Sequence, residues 1–101
     1  MEIRFFSESV RDFIGSLEEK TRARVYQTID LFYEAGHTIG LPHSKKIAKD
    51  LFELRIRSVQ EVRILYTYKQ ASVVLLHAFI KQSQKIPQKE IKLALQRLSA
   101  S

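Results

Sequence analysis

Apolar and polar residues alternate cleanly in the second half of the chain. In Leu51–Arg57 (LFELRIR), Phe52, Leu54 and Ile56 alternate with Glu53, Arg55 and Arg57, and in Glu61–Tyr68 (EVRILYTY), Val62, Ile64 and Tyr66 alternate with Glu61, Arg63, Leu65 and Thr67. Period two is the mark of a strand with one buried and one polar face, so both segments are predicted strands with their arginines turned away from the main apolar row. Ser58 to Gln60 suits a tight antiparallel connection, and Lys69 to Ser72 offers a second turn. The run VVLLHAFI that follows is apolar on both faces, which predicts a central strand covered from both sides.

Period 3.6 governs the ends. Ile3, Phe5 and Phe6 predict a first strand, and Ser7 or Ser9 then caps a helix carrying Val10, Phe13, Ile14 and Leu17 on one face. A second helix is expected from Glu18 to Ala35, with Val25, Ile29 and Phe32 in one stripe and Gly36 as its left-handed end. These two helices are expected to form a hairpin. Gly36 to Pro42 reads as loop, and so does the basic run from His43 to Lys49 that follows it. Pro87 precedes a last helix, Gln88 to Leu98, with Ile91, Ala94, Leu95 and Leu98 in register. The expected fold is α+β in the order β-α-α-β-β-β-α, mainly antiparallel, with an N-terminal helical hairpin and a C-terminal helix.

Composition narrows the chemistry. One domain over residues 1–101 is the expectation for this length and a 45% hydrophobic content. The chain has no cysteine and three histidines, His37, His43 and His77, too scattered for a metal-ligand pattern, so no metal or other cofactor is expected. The N-terminal segment lacks the apolar core of a signal peptide, and no run approaches the roughly 18 apolar residues of a membrane span. A cytoplasmic protein is expected. Net charge is +6, but residues 1–42 carry −2 and residues 43–101 carry +8. The second half is therefore expected to face a polyanion, with nucleic acid the obvious one and a merely solvated basic surface the bland alternative.

Arg55, Arg57 and Arg63 can share one face as planar forks of donors suited to phosphate. The lysines admit two readings. Lys46 is a candidate base only if neighbouring positive charge lowers its pKa, whereas Lys45, Lys46 and Lys49 together read as a phosphate-tracking patch. His77 sits in the most apolar strand, which favours a hydrogen-bonded core histidine over a proton shuttle. The phase of Tyr66 and Tyr68 points at least one of them into the core, although stacking on a splayed base is open to the other.

The series LFELR, VRILY and LLHAFIKQSQKIPQKEIKLALQR, in this order and spacing, resembles the RelE-like toxins of bacterial toxin-antitoxin pairs, and most closely the phage-derived HigB branch. The resemblance covers nearly the whole chain. It implies a ribosome-dependent mRNA endoribonuclease that cleaves translated mRNA in the A site by attack of the 2′-hydroxyl. It also implies neutralisation by a helix-turn-helix antitoxin of the HigA type, and contact with DNA only through that complex. It gathers Arg55, Arg63 and Lys81 into one site, with Lys46 as candidate base and Lys45, Lys49, Arg57, Gln82 and Lys85 toward RNA. Two positions depart from the branch: Gln82 follows Lys81 where a second lysine is usual, and Asp50 stands where Gly is common. ParE-like toxins, which share the backbone but inhibit DNA gyrase, form the rival reading, and a passive RNA- or ribosome-binding module is a third.

Overall fold

A computed structural model describes residues 1–40 and 43–101, with all side chains there except that of His37. Its elements are β1 (Glu2–Phe5), α1 (Glu8–Gly15), α2 (Glu19–Ala35), β2 (Ser44–Ala48), β3 (Leu51–Arg57), β4 (Glu61–Lys69), β5 (Ser72–Ile80) and α3 (Gln88–Ala100). The five strands form one mixed sheet in the order β1-β5-β4-β3-β2, with β1 parallel to β5 and the other pairs antiparallel. The fold is thus α+β, and two features of the expected arrangement are corrected: one strand is added, and the helical hairpin is not formed. The segment from Ser44 to Ala48, expected as loop, is an edge strand paired with β3. The strand expected at the start is present, paired parallel with β5, but the two helices that follow it do not form the expected hairpin. They pack mainly on the sheet, α1 over β5 and α2 over β3, rather than on each other.

The reason lies in their apolar faces. Val10 and Ile14 of α1, Leu17 beyond its end, and Val25 and Phe32 of α2 are buried against Leu54, Ile56, Val62, Ile64, Tyr66, Val73 and Leu75 on one face of the sheet. On the other face α3 buries Ala94 against Leu51, Leu65, Val74, Leu76 and Phe79. Each fully buried Leu, Ile, Val or Phe contributes about 1.5–3 kcal/mol, so these two layers hold the sheet between them.

A bulge explains why β5 is apolar without a phase. Leu65 pairs with His77 but Tyr66 pairs with Leu75, so Leu76 has no opposite number. Leu76 and His77 then face α3 together, while Leu75 and Ala78 face the α1/α2 layer. The freed Leu76 carbonyl accepts a 2.8 Å hydrogen bond from Arg97 of α3. His77 Nε2 meets Glu90 Oε1 at 2.8 Å, which ties the first turn of the same helix to the sheet.

α2 ends where Gly36 takes φ +57° with ψ −131°, a positive-φ conformation that favours glycine but differs in ψ from the left-handed cap expected, and a 3-10 turn, Gly36–Thr38, follows. The expected loop is described as far as Gly40, and its Leu41 and Pro42 lie outside the described residues. Among the described residues two others have positive φ, Asp50 (59°) in the β2–β3 turn and Gln70 (55°) in the β4–β5 turn. A non-glycine side chain in this region costs about 1–2 kcal/mol, partly recovered because glycine loses more entropy on folding. Asp50→Gly and Gln70→Gly should therefore each raise unfolding free energy by about 0.5–1 kcal/mol. Urea denaturation checks this; a loss of stability in both variants would mean that the parent side chains make compensating contacts.

Candidate nucleic-acid interface

α3 lies mainly over β5 and β4 and reaches only the Leu51 end of β3 and Ile47 and Ala48 of β2, so the rest of that face of β3 is left open. The alternation of β3 puts Glu53, Arg55 and Arg57 on that open face, and β4 adds Arg63 from the facing position. In the register Arg55 stands directly opposite Arg63. Like charges facing each other across a ladder destabilise it unless a carboxylate intervenes. Glu53 is that carboxylate. Its Oε1 accepts from Arg55 Nε at 2.8 Å and its Oε2 from Arg63 Nε at 3.2 Å. Glu61 accepts from the far side of the same guanidinium, Arg63 NH2, at 2.9 Å, and the Val62 carbonyl accepts from NH1 at 3.3 Å.

Arg63 is consequently the floor of the site. Its side chain is 3% exposed, with hydrogen bonds from all three nitrogens, whereas Arg55 is 24% and Arg57 74% exposed. Arg55 and Arg57 are thus the guanidiniums open to solvent, and Arg63 lies beneath them. Lys81 continues β5 past its end, its amide donating to the Glu61 carbonyl at 2.8 Å, and its side chain lines the same space.

Two confluent hollows result. One, of about 410 Å³, is lined by Lys45, Glu53, Arg55, Arg57, Arg63, Lys81 and Lys85, with Ile47, Ile86 and Ile91 forming an apolar wall. The other, of about 540 Å³, shares Arg57, Arg63 and Lys81 and adds Glu61, Gln82, Ser83 and Gln84. Six basic side chains against two carboxylates leave a net +4 in the combined cleft.

The structure brings together Arg55, Arg57, Arg63, Lys81, Lys45, Lys85 and Gln82. It does not bring in Lys46 or Lys49. Lys46 pairs with Phe52 and so falls on the sheet face that carries Ser44 and the α1/α2 core, while Lys45 pairs with Glu53 and faces the cleft. The expected base thus lies on the wrong side of an alternating strand, and Lys45 occupies the place considered for it. Lys49 sits in the β2–β3 turn. Neither described imidazole lines the cleft: His77 is held under α3, stacked on Phe79, and His43 borders a separate hollow beside α2. Tyr66 is fully buried, hydrogen-bonded to the Ser44 hydroxyl and packed edge-on to Phe32, and burial pushes its phenol well above the ordinary range. Base stacking by Tyr66 is therefore excluded.

Glu53 and Glu61 were missed as site residues. In sequence each reads as an ordinary polar position of a half-exposed strand, and the signal that identifies Glu53 is its shared phase with Arg55 in a register that opposes Arg55 to Arg63.

The Arg63 hydrogen bond, with smaller contributions from the charges of Arg63, Lys81 and Arg57, holds the Glu61 carboxyl below its ordinary pKa despite partial desolvation. A depressed carboxylate stabilises the fold above its unfolded-state pKa and loses that effect as pH falls through the folded value. Glu61→Gln should accordingly be less stable than the parent at pH 7, with the gap closing in acid below the ordinary carboxylate range. Urea midpoints of the two proteins across that window check it, and a gap that widened in acid would contradict the assignment.

Among the described residues no helix is long and apolar enough to cross a membrane. None of the curated proteins searched matches the chain. A family model does, across residues 12–99: that of the phage-derived protein Gp49-like proteins (DUF891). The match spans β3, β4, β5 and α3, the elements that build the cleft, and with most of the chain aligned to it this protein belongs to the Gp49-like family.

Proposed function

We propose that this protein is the toxin of a type II toxin-antitoxin pair, of the HigB branch, and that it acts as an endoribonuclease on mRNA in the ribosomal A site. The observation that carries the reading is the cleft of net charge +4 in which Glu53 holds Arg55 and Arg63 side by side. The Gp49-like family is related to the RelE-like toxins, which supports a toxin over a passive binder.

RNA carries its own nucleophile. Attack of the 2′-hydroxyl on the adjacent phosphorus expels the 5′-oxygen and leaves a 2′,3′-cyclic phosphate and a 5′-hydroxyl. The protein must orient that attack, neutralise the charge gathering on the non-bridging oxygens and protonate the leaving oxygen. In this reading Arg55 spends Nε on Glu53 and keeps both terminal nitrogens for phosphate, Arg63 supports it electrostatically, and Lys81 serves the leaving oxygen. Lys45, Arg57, Gln82 and Lys85 track the neighbouring backbone. The protein works in the cytoplasm, and a helix-turn-helix antitoxin encoded beside it covers the cleft and carries the complex to DNA.

One observation favours a second reading. Both carboxylates of the cleft are occupied by arginines, and the described imidazoles lie elsewhere, so the site offers no free proton acceptor of ordinary strength. A ParE-like toxin, which inhibits gyrase without cutting RNA, needs none. Induced expression followed by mapping of mRNA 5′ ends decides: new ends inside translated codons, absent with Arg55→Ala, support the nuclease, whereas growth arrest with intact mRNA and inhibited gyrase supercoiling supports the alternative.

A further inference from the structure

A third hollow, of about 240 Å³, opens between α2 and the end of β3 and is lined by Arg24, Thr28, His43, Arg55, Ile56 and Arg57. It shares Arg55 and Arg57 with the cleft, so the two spaces meet along β3. Its composition differs in one respect that matters. The cleft balances its arginines with Glu53 and Glu61, whereas the lining of this hollow holds three guanidiniums and no carboxylate.

Among the described residues Arg24 has no acidic partner, and Arg55 and Arg57 find theirs on the cleft side. The Arg24 side chain is an exposed cation of α2, and the Thr28 hydroxyl beside it is committed to the Arg24 backbone carbonyl at 2.8 Å. His43 is fixed at the rim because its carbonyl accepts from the Arg55 amide at 2.7 Å, and its ring nitrogens make no hydrogen bond among the described residues. Three like charges around one depression repel one another until an anion enters. Arg24 is also where the acidic first half of the chain contributes a cation to the basic face.

We propose that this hollow is a second phosphate subsite, which seats a backbone phosphate of the same single-stranded RNA whose scissile phosphate lies in the cleft. The strand crosses the end of β3 over Arg55 and Arg57 and is gripped again by Arg24, with His43 as an added donor. The proposal rests on the reading of the cleft as an RNA site. It adds that recognition extends past the reacting phosphate in one direction, toward α2.

The test measures binding of 2′-O-methyl RNA, which lacks the nucleophile, by fluorescence anisotropy at several salt concentrations. A dinucleotide fills the cleft alone, and an oligonucleotide on the order of ten nucleotides can reach both sites. Arg24→Gln should weaken the longer RNA by about three- to tenfold at low salt and reduce its logarithmic salt slope by about 0.7, the value for one phosphate contact on a single strand. The dinucleotide should be unaffected. Lys20→Gln, an equal loss of charge at an exposed site on the same helix, should leave both unchanged. Equal losses in Arg24→Gln and Lys20→Gln would reduce the hollow to diffuse charge and overturn the proposal, as would a longer RNA indifferent to Arg24. Failure of the nuclease reading looks different: intact mRNA on induction, alongside RNA binding that still depends on length and on Arg24, leaves the subsite standing as an RNA site without cleavage.

Discussion

Replacing Glu53 with alanine should lower unfolding free energy by about 3–5 kcal/mol, the cost of removing one partner from a buried ion cluster. Glu53 is 3% exposed and each of its oxygens takes one guanidinium, so its loss leaves Arg63 with more charge than Glu61 and one backbone carbonyl can offset. Arg55 can turn toward water; Arg63, walled in at 3% exposure, cannot. Domains of this size are stable by only about 5–15 kcal/mol, so the loss is a large share of the total. Removing both charges is a different matter. Glu53→Leu combined with Arg63→Met leaves no buried charge unmatched and should recover most of the loss, because a buried ion pair is worth little against apolar side chains of similar volume. Urea denaturation at pH 7 of Glu53→Leu, Arg63→Met and the double variant gives the coupling directly. A Glu53→Ala cost below about 1 kcal/mol, the range of exposed ion pairs, would show that water screens the cluster and that Glu53 does not organise the site.

Much of the sheet was legible because polar side chains keep an undisturbed period of two along β3 and β4, although most residues of both strands are buried; that alternation alone put Arg55, Arg57 and Arg63 on a common face. β2 was hidden for the opposite reason. It is a five-residue edge strand with Lys45 and Lys46 adjacent, and a short, charged edge carries little hydrophobic pattern while resisting further strand pairing. Read as loop, the segment had no phase, so nothing distinguished Lys46 from Lys45 as the lysine of the cleft; pairing with Glu53 makes that choice. The parallel contact of β1 with β5 was equally out of reach, since Ile3 and Phe5 say that a strand exists but not where it docks. The bulge at Leu76 leaves no trace in an unbroken apolar run. Asp50, noted in sequence only as a departure from Gly, acquires its meaning from a φ of 59°. Glu53 was visible as a letter and invisible as a function, because a carboxylate that separates two facing arginines is defined by cross-strand register and not by sequence spacing.

The burial of Arg63 also decides how the proposed chemistry must be probed. Arg63→Ala leaves the buried Glu53 with Arg55 as its one remaining ion-pair partner and Glu61 with Arg57, and should destabilise the fold enough to confound its activity. Arg55→Ala removes a partly exposed side chain whose terminal nitrogens are free, and should leave the fold largely intact while lowering the single-turnover rate on programmed ribosomes by about 10²–10³-fold, the usual effect of deleting one preorganised donor to a developing oxyanion. Arg55→Lys should recover only part of that rate, because an ammonium restores the charge but not the planar fork that spans two phosphate oxygens. Lys81→Ala should cost a similar factor if it serves the leaving oxygen, and should be rescued selectively by a substrate with a better leaving group, a rescue that Arg55→Ala would not share. A folded Arg55→Ala protein that cuts mRNA at the parental rate would remove the cleft from the chemistry, and Arg55 would then be one more cation on a binding face. The same protein, if it still arrests growth with mRNA intact, would turn attention to gyrase, where the cationic cleft serves as a docking surface and neither Arg55 nor Lys81 needs a phosphate to act upon.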